Sequence, residues 1–222
     1  MNKIYIIGDV HGMLDQLKKL FTKIEEKIDK DNDTIVMLGD YIDRGPNTPG
    51  VIDFILEHQE YLDIITLKGN HEDMLLKYLP MDDRNAYDSY MYNGGRETIK
   101  QYEEKYGNIP DEHMEFFNTL KKYHVTEDYV FVHANVYPNI PLESQDYYML
   151  FWERNMNLEN TTGKTIVHGH TPVKEVVFYD KTKRINIDTG MCYNGKSDGN
   201  GGIFKGFLTC LVLPDKTFFQ VN

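Results

Sequence analysis

Five short clusters hold the residues most able to do chemistry: Asp9 with His11, Asp40 with Asp43, Asn70 with His71, His133 alone, and the pair His168 and His170. Each cluster by itself has an ordinary explanation, because Asp and Asn shape turns and cap helices and a lone His is commonly structural. Together they supply oxygen and nitrogen ligands without thiolate, a set suited to Mn, Fe, Zn or related divalent ions and large enough for two of them. Two ions about 3.5–4 Å apart need a bridging carboxylate, and they acidify a water between them into a nucleophile at neutral pH. Arg44 follows Asp43 directly, and Arg154 lies in "FWERN". A guanidinium presents a planar fork that matches phosphate oxygens. Metal ligands together with arginines point to phosphoryl transfer, in which charge on the non-transferred oxygens must be stabilised.

The elements that carry these clusters can be read from apolar runs that stop abruptly at polar loops. "KIYIIGDVHG" from Lys3, "TIVMLGDYIDRG" from Thr34, "DIITLKGNHE" from Asp63, "YVFVHAN" from Tyr129 and "TIVHGH" from Thr165 each read as a short buried strand followed by a loop. Between the first two, Leu14, Leu17, Leu20, Phe21, Ile24 and Ile28 recur at helical spacing, which makes a strand, helix, strand unit. "GVIDFILEH" from Gly50 is a second crossover helix. In open α/β sheets, ligands bind beyond the carboxyl ends of the strands, where all five clusters fall. From Met74 to about Val125 the chain turns polar and rich in tyrosine and reads as a helical insertion, broken at Gly94 and Gly95. After Pro172, "EVVFYD", "RINIDTG" and "FLTCLVL" read as antiparallel strands.

Composition narrows the partners. The chain has 222 residues, 41% apolar and 27% charged, which suits a folded globular protein and fits one domain spanning 1–222 with its insertion. A net charge of −11 disfavours nucleic acid, whose affinity comes largely from phosphate neutralisation by Lys and Arg. No apolar run reaches the roughly 20 residues of a membrane span, and no secretory pattern follows Met1. A cytoplasmic protein without a membrane partner is the expectation, and oligomeric state is left open. Cys192 and Cys210 are too few for a disulfide framework and read as inert thiols.

"GDVHG" (Gly8 to Gly12), "GDYIDRG" (Gly39 to Gly45) and "GNHE" (Gly69 to Glu72), in this order and spacing, resemble the phosphoprotein phosphatase family of calcineurin-like metallophosphoesterases. "VHAN", "WER", "GHTP" and "DTG" extend the resemblance along most of the chain, and "NGGRET" with "GHTP" resembles the bacterial and phage serine/threonine phosphatase branch. The resemblance implies an α/β fold: a β-sandwich of two mixed sheets flanked by helices. It implies that Asp9, His11 and Asp40 hold one metal and that Asp40 bridges to a second held by Asn70, His133 and His170. Arg44, Arg154 and Asn70 would bind the phosphate, with His71 as general acid and Asp43 as its carboxylate partner, a pairing that favours the imidazolium. The reaction expected is in-line attack of a metal-bridging hydroxide on phosphorus. Manganese is the first choice of metal, with Fe, Zn, Ni, Co or Mg as alternatives.

Two departures from the family pattern stand out: Asn135 follows "HA", and Pro172 occupies a position where nuclease-type relatives place a histidine. His168 reads as a structural neighbour of the ligands, since His170 completes the set, and Tyr193 reads as surface or packing. The substrate expected first is phosphoserine or phosphothreonine in a protein, or a small phosphoester. Second comes a symmetrical dinucleoside polyphosphate such as diadenosine tetraphosphate, weighed down by Glu72 where such hydrolases typically carry Asp. A non-catalytic phosphate-binding scaffold is third.

Overall fold

The computed structural model describes residues 2–80, 84–197, 199 and 201–222. In chain order the first strands and helices are β1 (Ile4–Ile7), α1 (Leu14–Glu25), β2 (Thr34–Met37), α2 (Thr48–Gln59) and β3 (Ile64–Thr66). Four helices follow: α3 (Asn70–Tyr78), α4 (Arg84–Tyr90), α5 (Arg96–Tyr106) and α6 (Asp111–Thr119). The remainder comprises β4 (Tyr123–Val125), β5 (Tyr129–Val132), α7 (Tyr147–Trp152), β6 (Thr165–His168), β7 (Val177–Tyr179), β8 (Arg184–Asn186), β9 (Leu208–Leu213) and β10 (Thr217–Val221).

The strands form two five-stranded sheets, ordered β10-β9-β1-β2-β3 and β4-β5-β6-β8-β7. Both are mixed. β1, β2 and β3 run parallel, joined by the crossover helices α1 and α2, and β9 adds to them antiparallel. In the second sheet β5, β6 and β8 run parallel between antiparallel edges. This is the expected two-sheet architecture flanked by helices.

Strand alternation separates three apolar layers. Ile6, Val36, Phe131, Val167, Ile185 and Leu211 meet between the sheets. Tyr5, Ile7, Ile35 and Met37 point the other way, onto Leu17, Leu20, Phe21 and Ile24 of α1 and Val51, Ile52 and Ile55 of α2. Val130, Val132 and Ile166 cover the outer face of the second sheet under Leu150 and Phe151 of α7. Strands covered on both faces have no solvent side to make polar, which is why β1 and β2 read as continuous apolar runs.

Two expectations need correction, and one strand was not foreseen. The stretch read as helical to Val125 ends in a strand, β4, because Tyr123 to Val125 pair with β5. β8 is antiparallel to β7 but parallel to β6, in register Val167 with Ile185, so the chain after Pro172 is not purely antiparallel. β10, not read as a strand from the sequence, is an edge strand exposed at Thr217 and Phe218. Among the described residues, no helix is long and apolar enough to cross a membrane.

Leu211 is fully buried between the sheets, while Phe218, its register partner on β10, is 45% exposed. Leu211→Ala should therefore lower stability by about 2–5 kcal/mol in urea unfolding. Phe218→Ala should change it by roughly 0.5 kcal/mol.

Candidate metal centre

The loops leaving β1, β2, β3, β5 and β6 bring buried Asp9, His11, Asp40, Asn70, His71, His133 and His170 into one cluster. Asp40 is its hub. Its Oδ2 lies 3.5 Å from His11 Nε2, 3.4 Å from His133 Nε2 and 3.9 Å from His71 Nε2. Its Oδ1 accepts from the His71 backbone N–H at 3.1 Å. Candidate ligand atoms fall into two groups that share Asp40: His11, Asp40 and His71, and Asp40, His133 and His170, each within 4.8 Å. Asp9 belongs to neither group; its carboxylate accepts from the His170 backbone N–H at 3.2 Å.

Backbone carbonyls set the tautomers. His133 Nδ1 donates to Leu38 O at 2.9 Å, and His170 Nε2 donates to Trp152 O at 3.0 Å. The lone pairs of His133 Nε2 and His170 Nδ1 then face each other 3.2 Å apart, with Asn70 Oδ1 3.0 Å from His133 Nε2. Acceptors converging in this way need a positive charge among them, a metal ion or, without one, a proton on His133 Nε2. Burial works against charge on His133, yet the Asp40 and Asp9 carboxylates outweigh it and raise its pKa to about 9. His170 is pushed down to about 2, by burial first and by His133. Asp9 is raised well above the usual carboxylate range by burial and by Asp188. Three buried carboxylates, Asp9, Asp40 and Asp188, and imidazoles with preset lone pairs fit divalent metal ions.

His11 Nδ1 donates to Ile42 O at 2.9 Å, and its Nε2 accepts from Arg44 Nη1 at 2.8 Å. Arg44 also approaches the Cys192 sulfur at 3.8 Å, and its guanidinium lies 5.5 Å from the Tyr193 ring. Tyr193 is thus packed beside a candidate phosphate-binding arginine. Arg154 Nη1 donates to the His170 carbonyl at 2.9 Å, which places it on the other side of the cluster.

His71 Nδ1 and Asp43 Oδ2 are 2.6 Å apart. Burial pushes Asp43 up to about 8 and His71 down to about 3, against the expected imidazolium. The pair therefore shares one proton across the short contact, whichever heavy atom holds it, and in either form His71 Nε2 carries a hydrogen. That Nε2 is buried and has no hydrogen-bond partner among the described residues.

His168 and His170 separate although a continued strand would put both on one face. His168 ends β6 on the face opposite Val167, with Nδ1 against Gly169 O at 3.1 Å, and it belongs to neither ligand group. The chain then turns at His170, whose φ is +65°. Gly169 is obligatory here, since a Cβ would fall on the Asp9 carboxylate.

Glu72 was absent from the expected site, yet it fastens it. Its Oε1 accepts from the Tyr41 and Ile42 N–H groups at 2.8 and 3.3 Å, and its Oε2 from Asp40 and Gly69, both at 3.0 Å. A Glu in the first turn of α3 was the available signal. Asp188, in "DTG", and Cys192 were also missed; the first is a strand-end carboxylate like the others.

Residues 2–198 match the model of the calcineurin-like phosphoesterase family. The chain belongs to that family. Calcineurin-like phosphoesterases use a dinuclear metal site, for which the clustered Asp and His residues are candidate ligands. The chain is similar to the bis(5'-nucleosyl)-tetraphosphatase PrpE [asymmetrical] of Oceanobacillus iheyensis, 29% identical over 250 residues that span 99% of this chain and 92% of that one. Its fold is similar to that of a protein proposed to be a diadenosine tetraphosphatase, with a TM-score of 0.71 and 20% identity over 99% of this chain and 93% of the other. It is also similar to that of a serine/threonine phosphatase from Saccharomyces cerevisiae, with a TM-score of 0.62 and 18% identity over 99% of this chain and 79% of the other.

His170→Ala should remove one bound metal ion per chain, while His168→Ala should retain the full complement, as read by elemental analysis of protein loaded with manganese and desalted.

Proposed function

We propose that this phosphoesterase hydrolyses bis(5'-nucleosyl) tetraphosphates asymmetrically, with Asp9, His11 and Asp40 holding one divalent ion and Asp40, Asn70, His133 and His170 a second, manganese being the preferred metal. The observation that carries the substrate is the full-length similarity to the asymmetrical tetraphosphatase PrpE. It moves a dinucleotide ahead of the phosphoprotein expected first from sequence and changes the expected cleavage from symmetrical to asymmetrical. The ions, when bound, supply an acidified water for in-line attack on phosphorus.

The chain's own residues do the rest. Arg44 and Arg154, together with Asn70, bind the non-bridging oxygens of the scissile phosphate. Tyr193, half-buried beside Arg44, offers an aromatic face next to the phosphate chain. His71 Nε2–H points into the cluster and donates to the departing oxygen. Burial pushes the Cys192 thiol up to about 12, so it stays protonated and supplies no nucleophile beside Arg44. A nucleotide is an intracellular compound, and the cytoplasm is the compartment we assign.

A second reading, phosphoserine or phosphothreonine hydrolysis, draws on His71. A buried proton donor is worth most when the leaving group is a strongly basic alkoxide, as in a serine ester, and less when it is a nucleotide phosphate.

The deciding experiment compares diadenosine tetraphosphate with a panel of phosphoserine and phosphothreonine peptides on manganese-loaded protein, with products separated by chromatography. The dinucleotide should have the higher kcat/KM and yield ATP and AMP. Preference for the peptides would establish the second reading, and two ADP per dinucleotide would overturn asymmetrical cleavage.

A further inference from the structure

The "NGGRET" segment lies outside every metal and phosphate contact described above, yet it is built against the acid. Helix α4 ends at Tyr90, the chain kinks over Met91–Gly95 at Gly94, whose φ is +111°, and α5 begins at Arg96. Gly95 has no room for a Cβ, which would fall on the Tyr90 ring, so the turn presses that ring inward. Tyr90 is fully buried, and its hydroxyl donates to Asp43 Oδ1 at 3.1 Å.

Thr98, also fully buried, meets Asp43 twice. Its Oγ1 donates to Asp43 Oδ1 at 2.6 Å and accepts from the Asp43 backbone N–H at 3.0 Å. One turn further, Gln101 donates to Gly45 O at 2.9 Å and accepts from Thr48 N–H at 2.7 Å. The loop from Asp43 to Thr48 is therefore held on α5 from both ends. It needs holding, because Asp43 and Arg44 are both at positive φ, +69° and +66°, a conformation that is costly for a non-glycine residue.

The two Asp43 oxygens have different work. Oδ1 is saturated by two hydroxyl donors from the helical insertion, and Oδ2 meets His71 Nδ1. Fixing one oxygen of a planar carboxylate fixes the direction of the other. We propose that Tyr90 and Thr98 are positioning residues for proton donation: they orient Asp43, and through it His71 Nε2, toward the leaving oxygen. The helical insertion is then a part of the acid machinery. This inference rests on the reading of His71 as the proton donor.

The experiment uses manganese-loaded protein and two phosphate monoesters, glycerol phosphate with a poor leaving group and 4-nitrophenyl phosphate with a good one. Tyr90→Phe and Thr98→Val remove only the hydroxyls. Each should lower kcat on the alkyl ester by about 10–100-fold, below the 10²–10⁴ contributed by a general acid. Each should leave the aryl ester within about threefold and the metal content unchanged. Thr98→Ser keeps the hydroxyl and should restore the alkyl rate.

Equal loss on both esters in Tyr90→Phe and Thr98→Val would overturn the inference, as would an unchanged alkyl rate. A misfolded variant shows itself by lost metal and lost aryl turnover, and Thr98→Ser then decides alone: it should match wild type on both esters, and a selective alkyl loss would contradict the role of the hydroxyl. His71→Ala is the control for the underlying reading. If it slows both esters equally, His71 is not the proton donor and the inference falls with that reading; if it slows the alkyl ester selectively, the Tyr90 and Thr98 results bear on positioning alone.

Discussion

One buried carboxylate, Asp40, organises this molecule. It is almost fully removed from water, and His11, His71 and His133 face the same oxygen. A charge so placed is costly unless it is paired. Here the compensation is collective, because burial raises the pKa of Asp40 while His133 and His71 more than reverse it. The residues that satisfy Asp40 arrive from different strands: β1 leads to His11, β3 to His71, and β5 to His133. The two sheets must therefore pack in one relative position for the carboxylate to be tolerated, and the apolar layer around Phe131, Val167 and Leu211 supplies that packing.

The same constraint explains why the loops are strained. His11, Asp40, Asp43, Arg44 and His170 all sit at positive φ. Such residues persist when the surroundings over-determine them. Glu72 does this for the Asp40 loop by accepting from three of its backbone N–H groups, and α5 does it for the Asp43 loop through Thr98 and Gln101. Two supports of different origin thus meet on one six-residue turn, Asp40 to Gly45. The first comes from the helix that carries Asn70 and His71, and the second from the insertion. The turn between them carries Asp40, the proposed carboxylate partner of His71 and a candidate phosphate-binding arginine.

The residues that gather at the centre were legible in sequence because each ends an apolar strand, and a strand end followed by Asp, Asn or His is a local pattern. The helices α1 and α2 were legible for the same reason, since a 3.6-residue period is written within one segment. What escaped depends on distance along the chain. Thr98 and Asp43 are 55 positions apart, and nothing at either end announces the other. Tyr90 is one of sixteen tyrosines. Glu72 has a local signature, the first-turn acid of α3, but that signature speaks of capping and is silent about Asp40 and Tyr41. The parallel pairing of β8 with β6 likewise rests on a neighbour eighteen residues away, Val167 against Ile185. Burial acts on both partners of the His71 and Asp43 pair, against charge on either, and was invisible until the depth of the site was known.

The central claim is that Asp40 serves two metal sites at once. Its most direct test is the metal stoichiometry of Asp40→Asn beside that of the wild type, measured by elemental analysis after manganese loading and gel filtration. The account predicts two ions per chain in the wild type and fewer than one in Asp40→Asn, because both sites lose their common charge. A wild type that binds one ion, or an Asp40→Asn variant that keeps two, would contradict it.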